Sequence, residues 1–316
     1  MSDMPQREAY GRALADYGDV NKKVVVLDAD TSSSTLTHFF GSRFPERFFN
    51  VGIAEPCLVD FGVGLSLGGF VPFVNAFAAF LALRAVEQVR TCVAYAATNV
   101  KLVGHYAGLS DYKDGPTHNC VMDVAVMRAL PNMTVIVPAD NNEIVNWLPI
   151  IAEFNGPIYF RMSRDKSLPV HPVDVKPQIG KAITLREGND VTLIANGTMT
   201  GRSVLAANKL AEKGISARVL EVHTLKPFDV EAVCQAAALT GAVVTAEEHS
   251  IIGGLGGAVS ESLAENCPVP LVRVGINDRF PVTSLDADLL MDHMGLRIDD
   301  VVNAAETVLR KKEASK

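Results

Sequence analysis

Apolar residues fall along this chain in two alternating arrangements: short continuous runs, and longer stretches with helical spacing. Val24-Val25-Val26-Leu27-Asp28 is an unbroken β-branched run ending in a carboxylate, the pattern of a parallel strand covered on both faces. Runs of the same kind recur at 70–74, 100–104, 134–137 and 157–161. Between them, 6–17, 55–67, 77–95, 122–129 and 141–153 carry helical spacing with few breakers. Pro169, Pro172 and Pro177 then interrupt a stretch of little periodicity, which reads as a linker over 167–188. The alternation resumes with strands at 191–195, 217–222, 242–246 and 271–274, and helices through Leu210, over 230–238 and after Gly257. Strand–helix alternation throughout predicts an α/β chain of two doubly wound domains, 1–166 and 189–316.

One stretch, 61–83, carries no charge and is long enough to cross a bilayer. Gly62, Gly64, Gly68, Gly69, Pro72 and Asn75 break it, so it reads as a buried helix, turn, strand and helix start beside a subunit interface. The remaining composition fits two ordinary cores: 316 residues, 48% hydrophobic and 21% charged. A net charge of −7, with Arg310-Lys311-Lys312 as the one short basic run, excludes a nucleic-acid stripe. Five widely spaced cysteines without a CxxC suit reduced thiols better than a disulfide frame or a zinc site. The N-terminus lacks the apolar core of a signal peptide, so the expected location is cytoplasmic.

Candidate chemistry gathers after strands. The loop 105–118 contains two His, two Asp and two Tyr and ends Asp114-Gly115-Pro116-Thr117-His118. It leaves the end of a buried strand, where open α/β sheets bind ligands. A second acid, Glu55, follows the run ending Gly52-Ile53-Ala54 and is surrounded by apolar neighbours, a setting in which a carboxyl can retain a proton and donate it. Gly253-Gly254-Leu255-Gly256-Gly257 superficially resembles a nucleotide loop, but its spacing is wrong and Glu247-Glu248 precede it, so close packing is the favoured reading.

Taken together, Arg47 to Glu55, Pro72-Phe73-Val74 with Phe77 and Phe80, Asp114 to His118, and Arg128 to Met133 with Pro138-Ala139-Asp140 resemble the transketolases, which are thiamine-diphosphate enzymes. The likeness runs from Arg7 to about residue 310 and corresponds to that family's pyrimidine-binding and C-terminal domains. It implies that Glu55 is the acid that meets the cofactor's pyrimidine nitrogen, that Phe80 stacks on the pyrimidine with Phe77 nearby, and that Asp30 lies near the thiazolium. It places His118 at the reacting carbon and Asp114 at substrate hydroxyls, with Arg7, Ser34 and Arg164 holding a sugar phosphate. The family's substrate histidine falls on Tyr106, with His105 one residue off; Pro56 and Lys113 are further departures. No Gly-Asp-Gly motif occurs, so no metal ligands are expected here. The implied assembly is a heterotetramer with a separate subunit that holds the diphosphate and Mg2+. The implied reaction moves a two-carbon ketol unit from a ketose to an aldose. A deoxyxylulose-phosphate synthase-like chain, a 2-oxo acid dehydrogenase beta-type subunit and a non-catalytic partner are the alternatives.

Overall fold

The structure, a computed structural model, describes residues 4–314. Two sheets form because the apolar runs can bury both faces only between helices. The first contains β1 (Val24–Asp28), β2 (Phe48–Asn50), β3 (Val71–Phe77), β4 (Lys101–His105), β5 (Thr134–Ile136) and β6 (Ile158–Arg161). The second contains β7 (Ile183–Arg186), β8 (Val191–Ala195), β9 (Ala217–Glu221), β11 (Val243–Ser250) and β12 (Leu271–Ile276). A short strand from the second half, β10 (Thr224–Lys226), crosses over and joins the first sheet, whose order is β10-β5-β6-β4-β3-β1-β2. The second sheet runs β12-β11-β8-β9-β7. All pairings are parallel except β10 on β5 and β7 on β9.

Every residue of β1, β4, β6 and β8 is buried, as continuous hydrophobic runs require. Helices Gln6–Val20 and Asn141–Glu153 cover one face of the first sheet, and Trp147 is fully buried there with Tyr10, Phe73 and Phe160. Each such side chain contributes on the order of 1.5–3 kcal/mol by leaving water.

Several expectations need correction. Residues 77–95 do not form one helix: β3 runs to Phe77, and Phe80–Arg84 and Val89–Tyr95 are wide π-type turns flanking a short α segment, Val86–Gln88. The uncharged stretch is not wholly buried, since Leu67, Phe70 and Leu83 are exposed. Nor are all cysteines free: Cys234 and Cys267 form a disulfide with Cα atoms 5.8 Å apart, because helix Val230–Thr240 packs beside the end of helix Leu255–Asn266. The linker region also begins the second sheet earlier than anticipated, at β7. Among the described residues, no helix is long and apolar enough to cross a membrane.

Candidate functional site

Strands β1, β2, β3, β4 and β6 deliver most of the predicted residues beyond their C-terminal ends, and helix Gln6–Val20 supplies Arg7. Beyond β1, buried Asp28 accepts hydrogen bonds from the Thr31 amide and from the Thr31, Thr35 and Thr37 hydroxyls, and so shapes the loop that carries Ser34. Its pKa is raised by burial, which those bonds oppose. Asp30 is exposed, with a left-handed backbone (φ 63°), and exchanges hydrogen bonds with Asn50 at the end of β2. Asn50 also accepts from the Gly52 amide, which fixes the approach to Glu55.

Glu55 opens helix Glu55–Leu67 and is 1% exposed. Its surroundings are not purely apolar. Arg84 Nη1 donates to Glu55 Oε2 at 2.8 Å, and the same guanidinium lies over the Phe80 ring, 4.2 Å from its centroid. Residues 80 and 84 are brought one above the other by the widened turn, in which the Ala85 amide bonds to the Phe80 carbonyl five residues back. Arg84 is itself 48% exposed. A planar N–H donor thus already occupies the face of Phe80 while hydrogen-bonding the buried acid. These residues fit an aminopyrimidine, which is likewise planar and hydrogen-bonding.

The rings continue from there. His118 stands edge-on to Phe80 at 5.3 Å and to Phe77 at 6.2 Å, and Phe77 stacks on Tyr106 at 4.4 Å. Tyr106 follows β4 with φ 56°, an uncommon conformation for a non-glycine residue and one often found at functional sites. This local reversal separates it from its neighbour. His105 turns into the core, bonded to Asn75 and edge-on to Tyr10, and burial pushes its pKa down to about 3. Tyr106 instead meets the predicted anion site: its oxygen accepts from Arg7 Nη1 at 2.6 Å, and the Arg7 and Arg164 guanidinium groups lie 5.6 and 5.1 Å from its ring centroid. Ser34 contributes its carbonyl to this group, accepting from Arg7 at 2.9 Å.

The loop 111–118 is held from the second domain. Ser284 donates to the Tyr112 carbonyl, and Gly115 (φ 79°) lies so near Thr283 that a Cβ would come within 2.4 Å of its hydroxyl. Asp114 is exposed, and Lys113 reaches over Tyr112. Asp111 is buried and pairs with Arg164; burial first, then the Asp114 charge, pushes its pKa up to about 6.

Asp111 and Arg84 were not anticipated from the sequence. Arg84 had a signal, because it is the charge that ends the uncharged stretch 61–83. The glycine run, by contrast, packs as expected: Glu247 accepts from the Leu255 and Gly256 amides at 2.6 and 2.8 Å, so the protein's own carboxylate fills that helix N-terminus. A cleft of about 890 Å³ opens between the domains beside Ser110 and Tyr112, but Glu55, Phe80 and His118 do not line it: Glu55 is buried, and Phe80 and His118 are half-buried.

The family model described as the transketolase pyrimidine-binding domain matches residues 2–169, and the transketolase C-terminal domain matches 180–301. The chain belongs to the transketolase family. It is 42% identical over 306 residues to the 6-deoxy-6-sulfo-D-fructose transketolase subunit SqwH of Clostridium sp. (strain MSTE9), covering 97% of this chain and 95% of that one. It is 35% identical to one of the apulose-4-phosphate transketolase subunits of Phocaeicola vulgatus, covering 96% and 97%. A solved split-gene transketolase, described as an inactive beta4 tetramer, superposes with a TM-score of 0.91 at 45% identity, covering 98% of this chain and 99% of that one.

Proposed function

We propose that this chain is the C-terminal-type subunit of a two-chain transketolase, transferring a two-carbon ketol unit between sugars that carry an anionic group. The observation that carries this reading is the join of two surfaces: Glu55 and Phe80 continue through His118 and Phe77 to Tyr106, Arg7 and Arg164. Thiamine diphosphate, when bound, supplies the carbanion chemistry. Glu55 would hold a proton toward its pyrimidine nitrogen, with Phe80 and Phe77 as the stacking surface and Asp30 beside the thiazolium. His118 would move a proton or stabilise an oxyanion near the reacting carbon, while Asp114 orients substrate hydroxyls. Arg7 and Arg164 would bind phosphate or sulfonate, with the Ser34 carbonyl and Tyr106 setting their positions.

A separate subunit would supply the diphosphate and Mg2+ ligands, since no Gly-Asp-Gly motif occurs in this chain. Exposed Ile53, Phe61, Leu67, Phe70 and Leu83 near the Glu55 helix would be covered by self-association in a cytoplasmic heterotetramer. Two relatives are named as transketolase subunits for sulfo- and phospho-sugars, which supports an anionic substrate. The inactive beta4 assembly of a related chain supports dependence on a partner.

The test mixes the purified chain with a subunit carrying the Gly-Asp-Gly motif, thiamine diphosphate and Mg2+. Ketol transfer from phosphorylated or sulfonated ketoses, seen in the mixture and absent from either chain alone, is expected. Tight Mg2+-dependent cofactor binding and turnover by this chain without a partner would overturn the reading, as would a mixture that uses only pyruvate as donor.

A further inference from the structure

Among groups that the proposed reaction does not use, three segments bring ionisable side chains together in the interior. Glu143 comes from helix Asn141–Glu153 of the first domain, His171 from the linker, and Glu221 from the end of β9 in the second domain. Their side chains are at most 1% exposed. One ligand atom from each lies within 4.8 Å of the others. His171 Nε2 is 2.7 Å from Glu221 Oε2 and 3.8 Å from Glu143 Oε2.

These contacts are not ordinary hydrogen bonds. Glu221 and Glu143 meet side chain to side chain, but beyond that contact neither Glu221 oxygen nor His171 Nε2 has a hydrogen-bond partner of acceptable geometry, although Nε2 and Oε2 almost touch. Two carboxylates with no hydrogen-bonded cation would be costly in so dry a place. The surroundings hold them there nonetheless. The Asp140 carboxylate caps helix Asn141–Glu153 and also accepts from the Val170 and His171 amides at 2.7 and 2.8 Å, which anchors the linker beside Glu143. Glu143 is oriented by the Ala139 amide and the Trp147 indole at 2.6 and 2.9 Å. His223 follows two residues after Glu221, and its buried Nε2 also lacks a partner.

We propose that Glu143, His171 and Glu221 form a structural site for one divalent transition-metal ion of the zinc class, tying both domains to the linker. Two carboxylates neutralise a divalent charge. An imidazole with carboxylates suits Zn2+, Mn2+ or Fe2+ and disfavours Mg2+, which takes oxygen ligands. Bonds of about 2.0–2.2 Å put neighbouring ligand atoms roughly 3 Å apart, between the two separations measured from His171. The site is independent of the Mg2+ assigned to a partner subunit.

Elemental analysis of the full chain, purified in metal-free buffer from zinc-supplemented cells, is expected to show about one transition-metal ion per chain. Removing the ion with a chelator and adding Co2+ should produce visible absorption bands from a low-symmetry site. Glu221→Gln keeps the shape and should lower metal content at least tenfold, with circular dichroism confirming that the variant folds. If it does not fold, the wild-type cobalt spectrum decides. Metal below roughly a tenth per chain, with no cobalt bands, would overturn the proposal and leave a shared proton as the balancing charge.

Discussion

Two buried glutamates, one in each domain, sit beside helix starts and differ in what they face. Glu247 is bound by two backbone amides of helix Leu255–Asn266, and Gly254 and Gly256 press against it so closely that a Cβ would come within 2.0 and 3.0 Å of its oxygens. Glu55 faces one arginine side chain that is half in solvent. Backbone amides cannot leave without unfolding the turn, whereas the half-exposed Arg84 side chain can swing into solvent when another donor takes its place at Glu55. An acid meant for a ligand keeps an exchangeable partner; an acid meant for the fold does not.

The sharpest way to break this comparison is Glu55→Gln. In the assembled enzyme, turnover and deuterium exchange at the cofactor's reactive carbon are expected to fall by about 10²–10⁴, the scale of general acid–base steps, with no change in melting temperature. Unchanged exchange would remove Glu55 from the chemistry.

Glu247→Gln should do the reverse, altering stability and leaving exchange alone. Burial pushes Glu247 up to about 7, partly offset by the Gly256 and Leu255 amides. An unfolded glutamate titrates near 4.3, so between these values the folded chain keeps a proton that the unfolded chain has lost. Its contribution therefore declines as pH rises through that window, by a few kcal/mol, and levels off above it. Asp111, at about 6, acts in the same direction. Denaturant titrations at pH 5 and pH 8 on wild type and variant isolate the Glu247 share; identical pH slopes would contradict its assignment.

A smaller effect is expected from Tyr106→Phe and Tyr106→His. Losing the phenol frees Arg7, so KM for a phosphorylated or sulfonated sugar should change by up to about tenfold, on the scale of one charged hydrogen bond, while cofactor affinity holds. The His variant should reorder sugar preference. Equal losses for charged and uncharged sugars would make Tyr106 structural. The smallest effect belongs to Arg84→Met: with the competing donor gone, the assembled enzyme should bind cofactor up to about fivefold more tightly. Weaker binding would show that Arg84 supports Glu55 instead of standing in for a ligand.

Much of the fold was legible because its signals are local. Strands 24–28 and 191–195 and helices 55–67 and 141–153 have the bounds expected from unbroken apolar runs and helical spacing. The wide turns after Phe77 escaped because spacing alone does not separate a five-residue hydrogen-bond step from a four-residue one. Strand β10 is short and takes its place from a partner more than eighty residues earlier in the chain, which no window along the sequence can register. At the site, residue types suggested the acid and the rings. The separation of His105 from Tyr106 was hidden because it depends on one left-handed backbone angle.

That crossing strand reaches beyond architecture into biosynthesis. A ribosome completes β1 to β6 well before it makes Thr224, so the nascent first sheet emerges with the β5 edge bare. Unpaired edges invite other strands. Translation therefore passes through an interval in which the chain is exposed to self-adhesion, and an amino-terminal fragment cut at the linker would stay in that interval permanently.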